Sequence, residues 1–200
     1  MIVDFRRIAR LGEKNFIVIA FMTAFVVLCT GCVLMPQSQE SIQLSDNMTM
    51  EVTSGAFRDG EMIPVKHTGD GDDASPPLAW SGAPANVGGY ALICDDPDAP
   101  MGTFTHWVIY GIPGDATGLS EGVPQVKVLD NGAMQGKNGF GKIGYGGPAP
   151  PAGSPHRYRF HVYALDAKPD LPAGISKGDL LKAIKGHVIA EGELTGIYKR

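Results

Sequence analysis

The segment Arg157–Leu165 alternates residue by residue. Tyr158, Phe160, Val162 and Ala164 share one side, and Arg157, Arg159, His161 and Tyr163 share the other. A period of two with an apolar set on one side describes a β-strand resting one face on a core. Such a strand needs hydrogen-bonding partners along its edges and something apolar to cover its face, so the chain has to build a sheet. Other segments can supply it. Tyr90 to Cys94 is a continuous apolar run of strand length, stopped by Asp95-Asp96-Pro97, and reads as a strand buried on both faces. Thr105 to Ile112 is rich in aromatic and β-branched residues and stops at Pro113-Gly114. Met48–Val52 reads as a first strand and Ile189–Ile197 as a last one.

The 27 glycines and 15 prolines suit the turns of a β protein better than a helical bundle. Ser75-Pro76-Pro77-Leu78-Ala79-Trp80 is a stiff turn running into an aromatic. From Asn131 to Gly153 the chain is dense in Gly and Pro with little periodicity, and loops of this length inside a domain are usually functional or disordered. Ser176 with Asp179 makes a capping-box-like start for a helix that carries Leu180, Leu181, Ile184 and Val188 at helical spacing. The residues by themselves give a mainly β domain, an antiparallel sheet arrangement with about one helix.

The N-terminal 31 residues are set apart from that domain. Arg6, Arg7, Arg10 and Lys14 stand against Asp4 and Glu13, and an uncharged apolar run from Phe16 to Leu28 leads into Cys29-Thr30-Gly31-Cys32. A basic flank, a short apolar stretch and small residues at its exit describe a secretory signal. The small residue before Cys32 resembles a bacterial lipobox, in which that cysteine takes the lipid, although Cys29 stands where the lipobox usually has Leu. An uncleaved anchor is the alternative, since Phe16–Met35 could just cross a bilayer at about 1.5 Å rise per residue. Either way the expected location is the cell envelope, membrane-anchored and facing away from the cytoplasm. The expected division is a lipoprotein-type signal over residues 1–31, a polar tether over 32–47 and one domain over 48–200. The whole chain carries a formal charge of −4, and the domain without its basic leader is more acidic still, which argues against nucleic-acid binding. Cys94 is the one cysteine of the body, so no disulfide can form inside the processed domain, and its apolar neighbours mark it as a buried, inert thiol.

Two polar-rich stretches border strong strands. One is Asp95-Asp96-Pro97-Asp98-Ala99-Pro100, with His106 shortly after. The other runs from Gly146 through Pro148, Pro150 and Pro151 to Gly153, followed by His156-Arg157-Tyr158. Loop-to-strand junctions are where binding residues concentrate. Two imidazoles and a phenol can donate hydrogen bonds to an oxyanion, and a Gly-rich turn can add backbone donors. Asp96 and Asp98 cannot attract a phosphate, but they can orient the histidines or accept from an ammonium on the same ligand. The plainer readings are Asp-Pro turn chemistry for the carboxylates and structural roles for His67, His161 and His187. Arg157 is expected to pair with a carboxylate. The spacings match no metal motif, so neither metal nor cofactor is expected, and G-x-S-x-G, H-E-x-x-H and phosphate-loop signatures are absent.

Taken together the two stretches resemble the phosphatidylethanolamine-binding protein family, in its bacterial and archaeal branch often called Raf-kinase-inhibitor-like. The resemblance rests on Asp96-Pro97-Asp98-Ala99-Pro100 with His106-Trp107, on Tyr145 through Gly153 with His156-Arg157-Tyr158, and on Ser75 through Trp80. It covers roughly residues 48 to 198. It implies two antiparallel sheets with one or two short helices, and a small cavity at one end that takes phosphate, acetate or phosphorylated head groups. Carried over position by position, the lining is Asp96, Asp98, His106, Gly147, Pro150, His156 and Tyr158, with Trp107 and Pro100 shaping the wall. Relatives often carry Cys where Ala149 stands, so a thiol role at that position is absent here.

Three functions follow. The first is a membrane-tethered, non-catalytic binder of small phosphate-bearing or carboxylate ligands. The second is a protein-interaction module that inhibits a protease or kinase, which an exposed apolar patch beside the cavity would favour. The third is a weak hydrolase with His106 or His156 as base and an Asp as orienter. The first is preferred because no activated nucleophile is visible.

Overall fold

A computed structural model describes residues 48–200. The expected signal segment, the lipidation at Cys32 and the tether over 32–47 lie outside the described residues.

The described chain forms nine strands and one α-helix: β1 (Met48–Thr49), β2 (Glu51–Thr53), β3 (Leu78–Ser81), β4 (Gly89–Asp96), β5 (Phe104–Pro113), β6 (Gly118–Leu119), β7 (Met134–Gln135), β8 (His156–Leu165), α1 (Lys177–Ile184) and β9 (Val188–Tyr198). They make a mainly β fold of two sheets. The large one has strand order β1-β9-β8-β4-β5-β7 and the small one β2-β3-β6. All pairings are antiparallel except β1 with β9, which is parallel.

The alternation in β8 has the expected cause. Tyr158, Phe160, Val162 and Ala164 join Leu92, Cys94, Trp107 and Ile109 in a core packed against Val52, Leu78 and Trp80 of the small sheet. The other face of the large sheet buries Ala91, Ile93, Val108, Tyr110 and Leu165 against Leu180 and Ile184 of α1. Strand β4 sits in the middle with all eight residues buried, which is why it reads as an unbroken apolar run. Helix α1 starts as expected, with the Ser176 side chain accepting from the Asp179 N–H and Asp179 answering at the Ser176 N–H.

Three elements differ from the sequence reading by more than a one-residue shift at an end. Met48–Val52 is two short strands in different sheets, because the chain crosses at Met50, which is buried and donates its N–H to Glu191 O at 2.6 Å. Strand β4 runs on through Asp95 and Asp96, both buried: Asp96 meets His156 and Asp95 Oδ2 meets Lys177, while Asp95 Oδ1 is enclosed without a partner among the described residues. Val188 is not on the helix: Gly186 takes a left-handed conformation (φ 83°) just past the helix end, and Val188 opens β9.

Residues 131–153 carry little regular structure but are held by two buried amides. Gln135 donates to the carbonyls of Pro124 and Val126 at 2.7 and 2.8 Å. Asn138 accepts from the Phe140 and Lys142 N–H groups and donates to Gly144 O.

Candidate functional site

One end of the central strands β5, β4 and β8 collects the polar side chains. The end of β4 brings Asp96, the start of β5 brings Phe104 and His106, and the start of β8 brings His156 and Tyr158. The Gly/Pro loop closes the cavity with Ala149, Pro150 and Pro151. The cavity has a volume of about 130 Å³ and is also lined by Ala99, Pro100 and Phe140.

His106 reaches it through a bulge. The pairing of β4 with β5 steps from Cys94–Trp107 to Asp95–Thr105, so His106 is the unpaired extra residue between them. A bulge re-aims one side chain without disturbing the strand on either side. Trp107 therefore stays in the core while His106 turns into the cavity. Its Nδ1 lies 2.5 Å from Gly146 O, and its ring meets Tyr158, Phe104 and Phe140 edge-on at centroid distances of 5.1, 5.1 and 5.8 Å. Burial is the main cause that holds the imidazole below its ordinary pKa, with the Gly146 carbonyl acting upward.

Asp96 does two jobs at once. Its Oδ1 accepts from the Asp98 N–H at 2.8 Å, the turn chemistry expected of an Asp before Pro. Its Oδ2 lies 2.7 Å from His156 Nδ1, which fixes that ring and turns Nε2 outward from the pair. The Tyr158 hydroxyl is fully enclosed and has no hydrogen-bond partner among the described residues. Burial pushes its pKa up, and the nearby Asp96 carboxylate adds to the effect.

Of the residues singled out from the sequence, Asp96, Pro100, His106, Pro150, His156 and Tyr158 line the cavity together. Asp98, Trp107 and Gly147 do not line it. Asp98 forms a bidentate pair with the Arg157 guanidinium (2.7 and 2.9 Å) and accepts from the Arg157 N–H at 2.9 Å. The Arg157 guanidinium accordingly holds its pKa at about 2. This ties the loop after β4 to the start of β8, and it is the carboxylate pairing expected of Arg157. Trp107 is enclosed behind the cavity, donating to Gln135 Oε1 at 2.8 Å and packing on Tyr145. Gly147 donates its N–H to Asp73 Oδ1 at 2.5 Å. A Cβ there would lie 2.7 Å from the Thr68 backbone, so the loop packs where only glycine fits.

His67, His161 and His187 stand outside the cavity, with His67 Nδ1 on Ala74 O, His161 on Glu193 and His187 on Asp166. Cys94 is buried, and burial pushes its thiol pKa well up. Sequence reasoning missed Phe104, Phe140, Ala99 and Pro151. Phe104 stands opposite Asp96 in the β4–β5 register and was open to inference once that pairing was drawn. Phe140 sits in an aperiodic loop and left no signal. A larger cavity of about 240 Å³ lies toward the far ends of β8 and α1, lined by Leu165, Leu171 and Ile184 with Lys168 and His187. Among the described residues, none of its lining side chains has an enclosed polar atom without a partner.

Comparison with known proteins agrees with this architecture. Residues 53–199 match the phosphatidylethanolamine-binding protein family. A UPF0098 protein of Methanothermobacter thermautotrophicus is 51% identical over 151 residues, covering 76% of this chain and 99% of that one. YbhB of Escherichia coli is 37% identical over 157 residues, covering 74% of this chain and 99% of YbhB. A solved structure of a phosphatidylethanolamine-binding protein homologue from Chlamydia trachomatis has a TM-score of 0.70 at 39% identity, covering 78% of this chain and 99% of that one. With the fold and most of the domain's length in agreement, the chain belongs to the phosphatidylethanolamine-binding protein family, in its bacterial and archaeal branch.

Proposed function

We propose that this protein binds a small oxyanion, a phosphate or carboxylate such as a phosphorylated head group, in the cavity at the Asp96 end of the large sheet, and performs no reaction on it. The observation that carries this reading is the Tyr158 hydroxyl, enclosed and without a partner among the described residues. A buried hydroxyl without a partner costs stability, and a ligand oxygen in the cavity would satisfy it. Two imidazole edges line the same 130 Å³ space. The His156–Asp96 pair has the form of an oriented base. The lining offers no serine or cysteine, however, and Tyr158 is a poor nucleophile with its pKa raised. Calorimetric titration of the full chain in detergent with inorganic phosphate and phosphoethanolamine tests the reading. Saturable binding that is lost in Asp96→Ala and His156→Ala supports it; no binding of either ligand to folded protein at millimolar concentration sinks it.

We also propose that the domain is tethered in the cell envelope through Cys32. Labelling with a fatty-acid analogue, present in the parent and absent from Cys32→Ser, is the expected result, and equal labelling of both removes the lipid from the proposal.

The interaction-module reading keeps one observation in its favour. The cavity mouth is apolar: Phe140 is 50% exposed, and Met101, next to Pro100, is fully exposed at 101%. A protease or other protein docking on this rim would lose affinity in Met101→Asp while phosphate binding stayed unchanged.

A further inference from the structure

We infer that the cavity takes its oxyanion together with a proton, so that its ligands are weak oxyacids: a phosphate monoester or inorganic phosphate in its singly charged form, or a carboxylate accompanied by one proton on an imidazole. This rests on the anion-binding reading above and deepens it.

The argument is a count of donors. The Gly146 carbonyl can only accept, so the hydrogen of His106 sits on Nδ1, 2.5 Å away. The Asp96 carboxylate accepts from Nδ1 of His156 at 2.7 Å, so its hydrogen sits on Nδ1 as well. A neutral imidazole has one N–H, and the other nitrogen is a bare lone pair. Both Nε2 atoms are therefore acceptors until a further proton arrives. The other lining side chains, apart from Tyr158 and Asp96, are alanine, proline and phenylalanine. The loop backbone adds little. The Gly146 and Gly147 N–H groups go to His106 O and Asp73, and prolines 148, 150 and 151 have none. That leaves the Tyr158 hydroxyl and the N–H groups of Ala99 and Ala149 as donors needing no added proton.

A phosphate dianion in this space would meet two lone pairs and a carboxylate. The charges around it do not reverse the balance. Asp95 and Asp73 act on His106 together with Asp96. Asp98 stands beside His156. Of the nearby cations, Arg157 is held by Asp98, Arg200 by Asp70 and Lys177 by Asp95, so each is matched by a carboxylate and none is left over for the ligand. One proton, placed on an Nε2 or on a ligand oxygen facing it, turns a repulsive contact into a charge-assisted hydrogen bond. Burial keeps His106 proton-poor, so that proton enters with the ligand and affinity falls as pH rises.

The test is calorimetry on the full chain in detergent with acetate and with inorganic phosphate, between about pH 6 and pH 9, in two buffers of different ionisation enthalpy. Acetate stays ionised throughout this range, so a proton taken up with it lands on the protein. The expected result is an uptake of about one proton per acetate and an affinity that falls about tenfold per pH unit in the upper half of the range. His106→Gln, whose amide offers a permanent N–H, is expected to flatten that slope. If the variant fails to fold, the two-buffer comparison on the parent decides alone. Equal heats in both buffers with pH-independent affinity would overturn the inference and leave the anion site standing. Absence of binding to folded protein across the whole range would remove both.

Discussion

Replacing Tyr158 by Phe is expected to make the protein more stable and a weaker binder. The phenol oxygen is enclosed with no partner among the described residues, while the ring belongs to the core beside Phe160 and Trp107. An unsatisfied buried hydroxyl costs about 1–3 kcal/mol. Phenylalanine fills the same ring volume, so the substitution is expected to recover at least about 1 kcal/mol, which raises the unfolding midpoint of a domain this size by about 2–4 °C. In the bound state the sign reverses. A hydrogen bond to a charged ligand is worth about 1.5–3 kcal/mol, so phosphate affinity should drop about ten- to hundredfold. Thermal unfolding with and without excess phosphate at one fixed concentration reads both effects on one sample, since a bound ligand at free concentration L stabilises by RT ln(1 + L/Kd) and a weaker binder gains less. The unliganded midpoint should go up and the ligand-induced rise should shrink. A lower unliganded midpoint with an undiminished phosphate shift would refute the reasoning, because it would mean that the hydroxyl is satisfied by the fold and unused by the ligand.

Asp98→Asn tests the pairing that holds the loop after β4. The folded pKa of Asp98 is about 2 against an ordinary 3.8, so its contribution is complete above about pH 4 and is lost as pH falls through about 2. Acid unfolding of the parent should steepen in that window and that of the variant should not, by no more than about 1 kcal/mol because the pair is largely solvated. Gly147→Ala drives a methyl to within 2.7 Å of the Thr68 backbone and should cost about 1–3 kcal/mol in denaturant unfolding; an unchanged midpoint would show that the two loops can part. Arg200 grips Asp70 with two nitrogens and reaches the carbonyls of Ala149 and Pro150 at 3.4 Å. Arg200→Ala should therefore weaken phosphate binding several-fold by loosening the cavity wall, with Arg200→Lys intermediate because it keeps the charge and loses the fork; equal affinities in all three would take Arg200 out of the site.

Much of the sheet was legible because its strands have simple environments. Strand β8 lies with one face on the main core and a half-exposed opposite face, so its period of two survives in the sequence. Strand β4 is enclosed on both sides and reads as a continuous apolar run. The helix was legible at its start, where Ser176 and Asp179 make a local motif, and not at its end, where Gly186 alone breaks a pattern that Val188 would have continued. Of the small sheet only β2 was touched by a strand reading, as the second half of Met48–Val52. Its strands are two to four residues long, too short for any period to register. The bulge at His106 was hidden for a different reason: nothing in Thr105-His106-Trp107 marks which residue will be unpaired, and only the register on either side fixes it.

The run Asp95-Asp96-Pro97-Asp98 shows why residue type could gather the site's neighbourhood but not sort it. The three carboxylates lie within four positions and look equivalent, yet strand alternation and the turn send each to a different partner. Asp95 points to the helix side of the large sheet and meets Lys177 at the start of α1. Asp96 points to the opposite side, into the cavity, and meets His156. Asp98, past the end of the strand, is swung back by the turn onto Arg157, next in sequence to His156. One carboxylate thus anchors the helix, one orients an imidazole in the cavity, and one fixes the strand that carries that imidazole. The second and third act on adjacent residues, so His156 is held through its ring by Asp96 and through its backbone neighbour by Asp98. Losing Asp98 should therefore loosen the ligand site without removing any group that touches the ligand, whereas losing Asp96 removes one of its walls.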